Sequence, residues 1–158
     1  MSRVEVSGRA VPRFSRNDIT AFAVTVLRAL RSKHELSIAF VDDAQMQKLN
    51  LDYRRKNKTT DVLTFELDEN FGEIVISLDQ ARRQAVDEKH SLATEVRYLI
   101  VHGISHAHCY DHETDNGEMN ALELKVRERV GLERRPAGRL ARRPAGRRSN
   151  VVAGGLAR

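Results

Sequence analysis

Four of the chain's six histidines fall within eleven residues, HGISHAHCYDH at 102–112. His102 and His106 are one helical turn apart. On a helix their imidazoles leave the same face with Cβ atoms about 5–6 Å apart, close enough for two ring nitrogens to reach one metal ion. His112 follows six residues after His106, past the point where a helix should break, and can fold back as a third ligand. Three neutral imidazoles leave a tetrahedral Zn2+ one open position for water, the layout of a catalytic site and not of a closed structural one. Such an ion lowers the pKa of that water toward ~7 and polarises a carbonyl or phosphoryl oxygen. His108 points away from this face, and solvation is its ordinary fate. Cys109 reads either as a fourth ligand that closes the site or as a small buried hydrophobe, the commoner role of a free cysteine. The H-x-x-x-H-x-x-x-x-x-H spacing is shared with a class of zinc proteases that carry Glu directly after the first His as general base. Here that position is Gly103, so a peptide hydrolase of that type lacks its base.

The element that must carry the pair is a helix starting near Ser91, in which Leu92, Val96, Leu99, Ile100, Gly103, Ile104 and Ala107 recur at helical spacing. At about 100° per residue, His102 and His106 lie on the border of that apolar stripe, where half-buried side chains are expected. Gly103 lies at its centre, where the lack of a side chain permits close packing on a sheet. Upstream, Ser15 and Asp18 have capping-box spacing before a helix with Ile19, Phe22, Ala23, Val26, Leu27 and Leu30 on one face. LSIAFV (36–41) reads as a strand ending at Asp42–Asp43, which caps a helix carrying Met46, Leu49 and Tyr53. VLTFEL (62–67) and EIVIS (73–77) read as a hairpin, and Ser77 with Gln80 opens a helix through about Lys89. Asp115 with Glu118 caps a last helix, bearing Met119, Leu122, Val126 and Val130 before a Gly131 stop. VEV at 4–6 alternates too briefly to define more than a possible strand.

Strands interleaved with about five helices predict an α/β (α+β) fold, a small mixed sheet packed by helices in one domain over residues 1–132. Beyond it, RRPAGRLA is followed by RRPAGRRS, and residues 133–158 hold eight Arg and one acid. This Arg-rich tail, with no periodic apolar face, is expected to be disordered. The net charge of +5 is therefore the sum of a −2 folded part and a +7 tail, and bulk charge alone does not identify a nucleic-acid partner. One cysteine excludes an intramolecular disulfide framework. The longest apolar-looking stretch, Ile19 to Leu27, is too short to span a bilayer. A soluble, cytoplasmic protein with no membrane and no disulfide partner is the expectation.

HGISHAHCYDH resembles the H-G-x-L-H-L-x-G-Y-D-H signature of the YbeY family, metal-dependent endoribonucleases of ribosomal RNA maturation. LNLDYRRKNKTTDVLTFE (49–66) is similar to that family's L-N-x-x-Y-R-x-K-x-x-P-T-D-V-L-S-F-P, and GEIVIS with Gln84–Ala85 to its G-D-I-x-I-S … Q-A segment. The resemblance implies one Zn2+ held by His102, His106 and His112, and catalytic roles for His102 and Arg54. It also implies single-stranded ribosomal RNA as substrate, the small ribosomal subunit as partner, and a role in rRNA processing and ribosome biogenesis. A planar guanidinium at Arg54 suits phosphate, which it binds through two oxygens at once; read from charge pattern alone, Arg54 is a surface salt bridge. The departures from the pattern are Ser105 and Ala107 for leucines, Cys109 for a turn glycine, Thr59 and Glu66 for prolines, and Thr64 for serine. Asp111, beside His112, can orient a ligand or accept a proton.

The preferred reading is a single-strand-specific endoribonuclease in which zinc-bound water attacks a phosphodiester. Two alternatives stand beside it: a zinc peptidase or amidase, which the missing Glu disfavours, and a non-catalytic ribosome-assembly factor that binds RNA and uses zinc structurally.

Overall fold

The computed structural model describes residues 4–68, 70–108, 118–132 and 151–153. Its elements follow from local chemistry. Ser15 accepts from the Asp18 amide at 3.1 Å and opens α1 (Arg16–Ala29), whose Ile19, Ala23, Val26 and Leu27 are buried. Asp42 and Gln45 cap α2 (Asp43–Arg54) reciprocally, each side chain accepting from the other's backbone amide at 2.8 and 3.1 Å. Ser77 accepts from the Gln80 amide at 3.2 Å and opens α3 (Leu78–Glu88). Helix α4 runs over Leu92–His108 and α5 over Glu118–Arg129; Gly131 comes after α5 at φ +77°, the left-handed turn expected of a stop. The Asp115 cap falls outside the described residues.

β2 (Glu35–Val41) lies between β1 (Val4–Gly8) and β4 (Phe71–Ser77), parallel to both, while β3 (Val62–Asp68) joins β4 as an antiparallel hairpin. The VEV segment is thus a full strand, because β2 supplies a parallel partner that a short local pattern does not reveal. A short β5 (Val151–Ala153) pairs in parallel with β3, giving the order β1-β2-β4-β3-β5. This corrects the expectation of disorder across 133–158 at these three positions. Tandem β-branched valines suit a strand, and the outer edge of β3 offers unpaired backbone groups. The remaining tail, 133–150 and 154–158, lies outside the described residues.

Alternation along β3 and β4 divides the core in two. Leu63, Phe65 and Val75 meet Met46, Leu49 and Tyr53 of α2 on one face of the sheet. Val62, Ile74 and Ile76 join the buried residues of α1, α3, α4 and α5 on the other. No helix among the described residues is long and apolar enough to cross a membrane.

The approach of α4 to the sheet is set at Gly103. A Cβ there would stand 3.0–3.3 Å from three side-chain carbons of Ile74, which is itself fully buried. Gly103→Ala is expected to be net destabilising, by about 0–2 kcal/mol, as overpacking of ~1–3 kcal/mol opposes a helix-propensity gain of ~1 kcal/mol. In an Ile74→Ala background the same change should become stabilising. Urea unfolding of the four proteins checks this, and strict additivity of the two substitutions would show that the contact does not set the packing.

Candidate metal centre

Helix α4 is buried on nearly every side. From Glu95 to Ala107 only Arg97 is partly exposed, and His108 at the end of the helix is exposed, as expected. His102 and His106 are 4% and 6% exposed, more buried than a position on the stripe border implies. Helix α5 contributes for His102: it lies against α4 and α1 with Glu123, Val126 and Arg127 turned inward, and Glu123 bonds the His102 ring. Arg129 at its end donates to the Ala29 carbonyl at 3.0 Å, fixing α5 to α1.

The two imidazoles meet edge to face, with ring centroids 4.4 Å apart, as the one-turn spacing requires. Nδ1 of His102 bonds Oε2 of Glu123 at 3.0 Å, and Oε1 of the same carboxylate accepts from Arg127 Nη2 at 2.6 Å. The Arg127 guanidinium stands over the Tyr98 ring, 4.6 Å from its centroid. Tyr98 stacks on His90 at 5.8 Å and 14°. His90 Nε2 bonds Glu95 at 2.8 Å, and the other Glu95 oxygen accepts from Gln84 Nε2 at 2.9 Å. A buried polar line thus runs from His102 to the junction of α3 and α4.

The two described donors are of a type that suits a divalent metal ion. Two neutral imidazoles on one helical turn are ordinary zinc donors, and a ligating histidine commonly gives its other ring N–H to a carboxylate, as His102 does to Glu123. His112, Cys109 and Asp111 lie outside the described residues. Gly103, where a zinc protease of matching spacing has its Glu, faces Ile74 inside the core. A side chain there would point into the sheet and not toward the imidazoles, so the protease base is missing in space as well as in sequence.

Arg54 is the last residue of α2, on the face of the sheet opposite α4. Its Nη1 lies 3.4 Å from Asn50 Oδ1, and partial burial lowers its pKa while leaving it a cation. Tyr53 beside it packs edge to face on Phe65 of β3 at 5.3 Å, while Thr64, the adjacent β3 residue, lies 3.5 Å from the Gly103 carbonyl. β3 is therefore the strand between Arg54 and the histidine pair. Within the 49–66 segment, buried Asn50 donates to the Lys58 carbonyl at 2.8 Å, and buried Asp61 accepts from the Val62 amide at 2.8 Å. These residues shape the approach to β3. Gln84, from the third matching segment, anchors Glu95.

Sequence reasoning missed Glu123 and Arg127. Their i,i+4 spacing, beside the Leu122 and Val126 stripe, was the available signal; it reads by default as a solvated surface pair.

A single α/β domain whose buried helix presents paired imidazoles, that of His102 backed by a carboxylate, defines a protein with a candidate histidine metal centre. The chain belongs to the YbeY family: the family profile described as Endoribonuclease YbeY matches residues 9–131. It is 44% identical over 120 residues to Endoribonuclease YbeY of Aquifex aeolicus, covering 72% of this chain and 77% of that one. To the namesake protein of Nautilia profundicola it is 40% identical over 107 residues, 65% of this chain and 77% of the relative. Its fold is similar to the solution structure of TM1509 from Thermotoga maritima, with a TM-score of 0.60 and 24% identity over 82% of this chain and 89% of that one.

Proposed function

We propose that this protein is a single-strand-specific endoribonuclease of ribosomal RNA processing, with His102, His106 and His112 holding one Zn2+ and Arg54 binding phosphate. The observation that carries the reading is the His102–His106 pair, with ring centroids 4.4 Å apart and His102 tied to Glu123, in a member of the YbeY family. A bound zinc ion supplies Lewis acidity at a phosphoryl oxygen and a nucleophile available at neutral pH. The chain's own residues supply the setting. Burial of both imidazoles limits the orientations each ring can take, and Glu123 fixes which nitrogen of His102 is left to ligate. Arg54, charged at every physiological pH, offers a planar fork of donors that stabilises developing charge on a phosphate oxygen. Ribosomal RNA of the small subunit, in the cytoplasm, is the substrate and setting this reading names.

Cleavage of single-stranded RNA by the metal-loaded protein is the expected activity, with duplex RNA cut far more slowly. His102→Ala should abolish cleavage. Arg54→Ala should reduce it about 100-fold, the scale of losing one charge-stabilising donor, with zinc content unchanged. Full activity in His102→Ala sinks the mechanism, and cleavage of peptides but not RNA revives the amidase reading.

The folded domain, 1–132, carries the chemistry in this proposal, and the Arg-rich 133–158 segment strengthens RNA binding without sequence preference. Arginines near phosphates displace condensed cations and steepen the salt dependence of affinity, by about 0.7 in log–log slope per phosphate on a single strand. Removing 133–158 is expected to flatten that slope while leaving cleavage at saturating RNA intact. An unchanged slope would mark the tail as idle in binding.

A further inference from the structure

Two charged residues one turn apart on α5, Glu123 and Arg127, are each 2% exposed. Burying an ion pair is costly, and an apolar pair of like volume usually stabilises a fold as well or better. The cost is visible here, since Nε and Nη1 of Arg127 are buried with no hydrogen-bond partner among the described residues. Stability alone therefore does not account for the pair.

Its geometry points to another role. The Glu123 carboxylate divides its oxygens between Arg127 Nη2 at 2.6 Å and His102 Nδ1 at 3.0 Å. Beside a guanidinium the carboxylate is an acceptor only, so the proton of the neutral His102 ring must sit on Nδ1. The lone pair is then on Nε2. Arg127 holds the carboxylate in that orientation, and its own position is set by the Tyr98 ring 4.6 Å away.

We propose that Glu123 is the positioning residue of the metal centre, fixing His102 as the Nδ1–H tautomer with Nε2 toward the ion, and that Arg127 on Tyr98 fixes Glu123. This rests on the zinc reading above and names residues that carry it without touching metal or RNA.

The test uses the full chain and zinc alone. Affinity is measured by competition with a chromophoric chelator, apo stability by thermal melting, and the His102 tautomer from the 15N imidazole shifts of apo protein. Glu123→Ala should weaken zinc binding about 10–100-fold and mix the tautomers. Glu123→Gln keeps an acceptor oxygen and should recover most of the affinity. The double variant Glu123→Leu with Arg127→Met removes both charges together. It should melt no lower than the parent as apo protein, yet bind zinc at least tenfold more weakly. Parental zinc affinity in the double variant, or an unmixed tautomer in Glu123→Ala, overturns the positioning role and leaves the metal centre standing. Failure of the parent protein itself to bind zinc overturns the metal reading, and this inference falls with it.

Discussion

A helix buried on nearly every side can carry an imidazole only if polar partners come with it, and for His102 of α4 that partner comes from α5. Gly103 brings α4 against Ile74 of the sheet, which leaves its other flank to α1 and α5. On that flank the Glu123 carboxylate takes the His102 Nδ1 atom. Without α5 the His102 ring would lose the carboxylate that its Nδ1 atom meets. The bond of Arg129 to the Ala29 carbonyl ties α5 to α1, against which α4 also packs.

The same constraint bears on how the two imidazoles can be buried at all. Neutral imidazoles cost far less to bury than charged groups, provided each ring has a partner. The charges admitted behind His102 are opposite ones, Glu123 and Arg127, already bonded to each other. Arg54 lies outside this compartment, at the end of α2 on the other face of the sheet.

Much of this was legible in the sequence because the relevant signals are local. His102 and His106 announce themselves by spacing, Gly103 by its place in the apolar stripe, Ser15 and Ser77 by the polar side chain three positions along the chain, and Asp42 by the turn it makes with Asp43 at the end of a short strand. The features that stayed hidden depend on long-range contact. The partner of His102 comes from α5, through a bond to Glu123 that spans 21 residues of chain. The pairing of β1 depends on β2, beyond the whole of α1, and that of β5 on the distant edge of β3. The end of α3 near Lys89 was legible, while the stops of α2 and α3 lack the usual glycine signal for a local reason. Arg55 and Lys89 take the left-handed C-cap position, at φ 58° and 56°, where glycine is the expected signal and a side chain costs roughly 1–2 kcal/mol.

The claim on which the account turns is that this buried pair is the core of a metal centre on which RNA cleavage depends. Zinc content and single-stranded RNA cleavage, measured on one preparation before chelation, after it and after zinc is returned, test it most directly. The account predicts one zinc ion per chain, with cleavage lost on chelation and restored with the ion. Undiminished cleavage by the metal-free protein would contradict it.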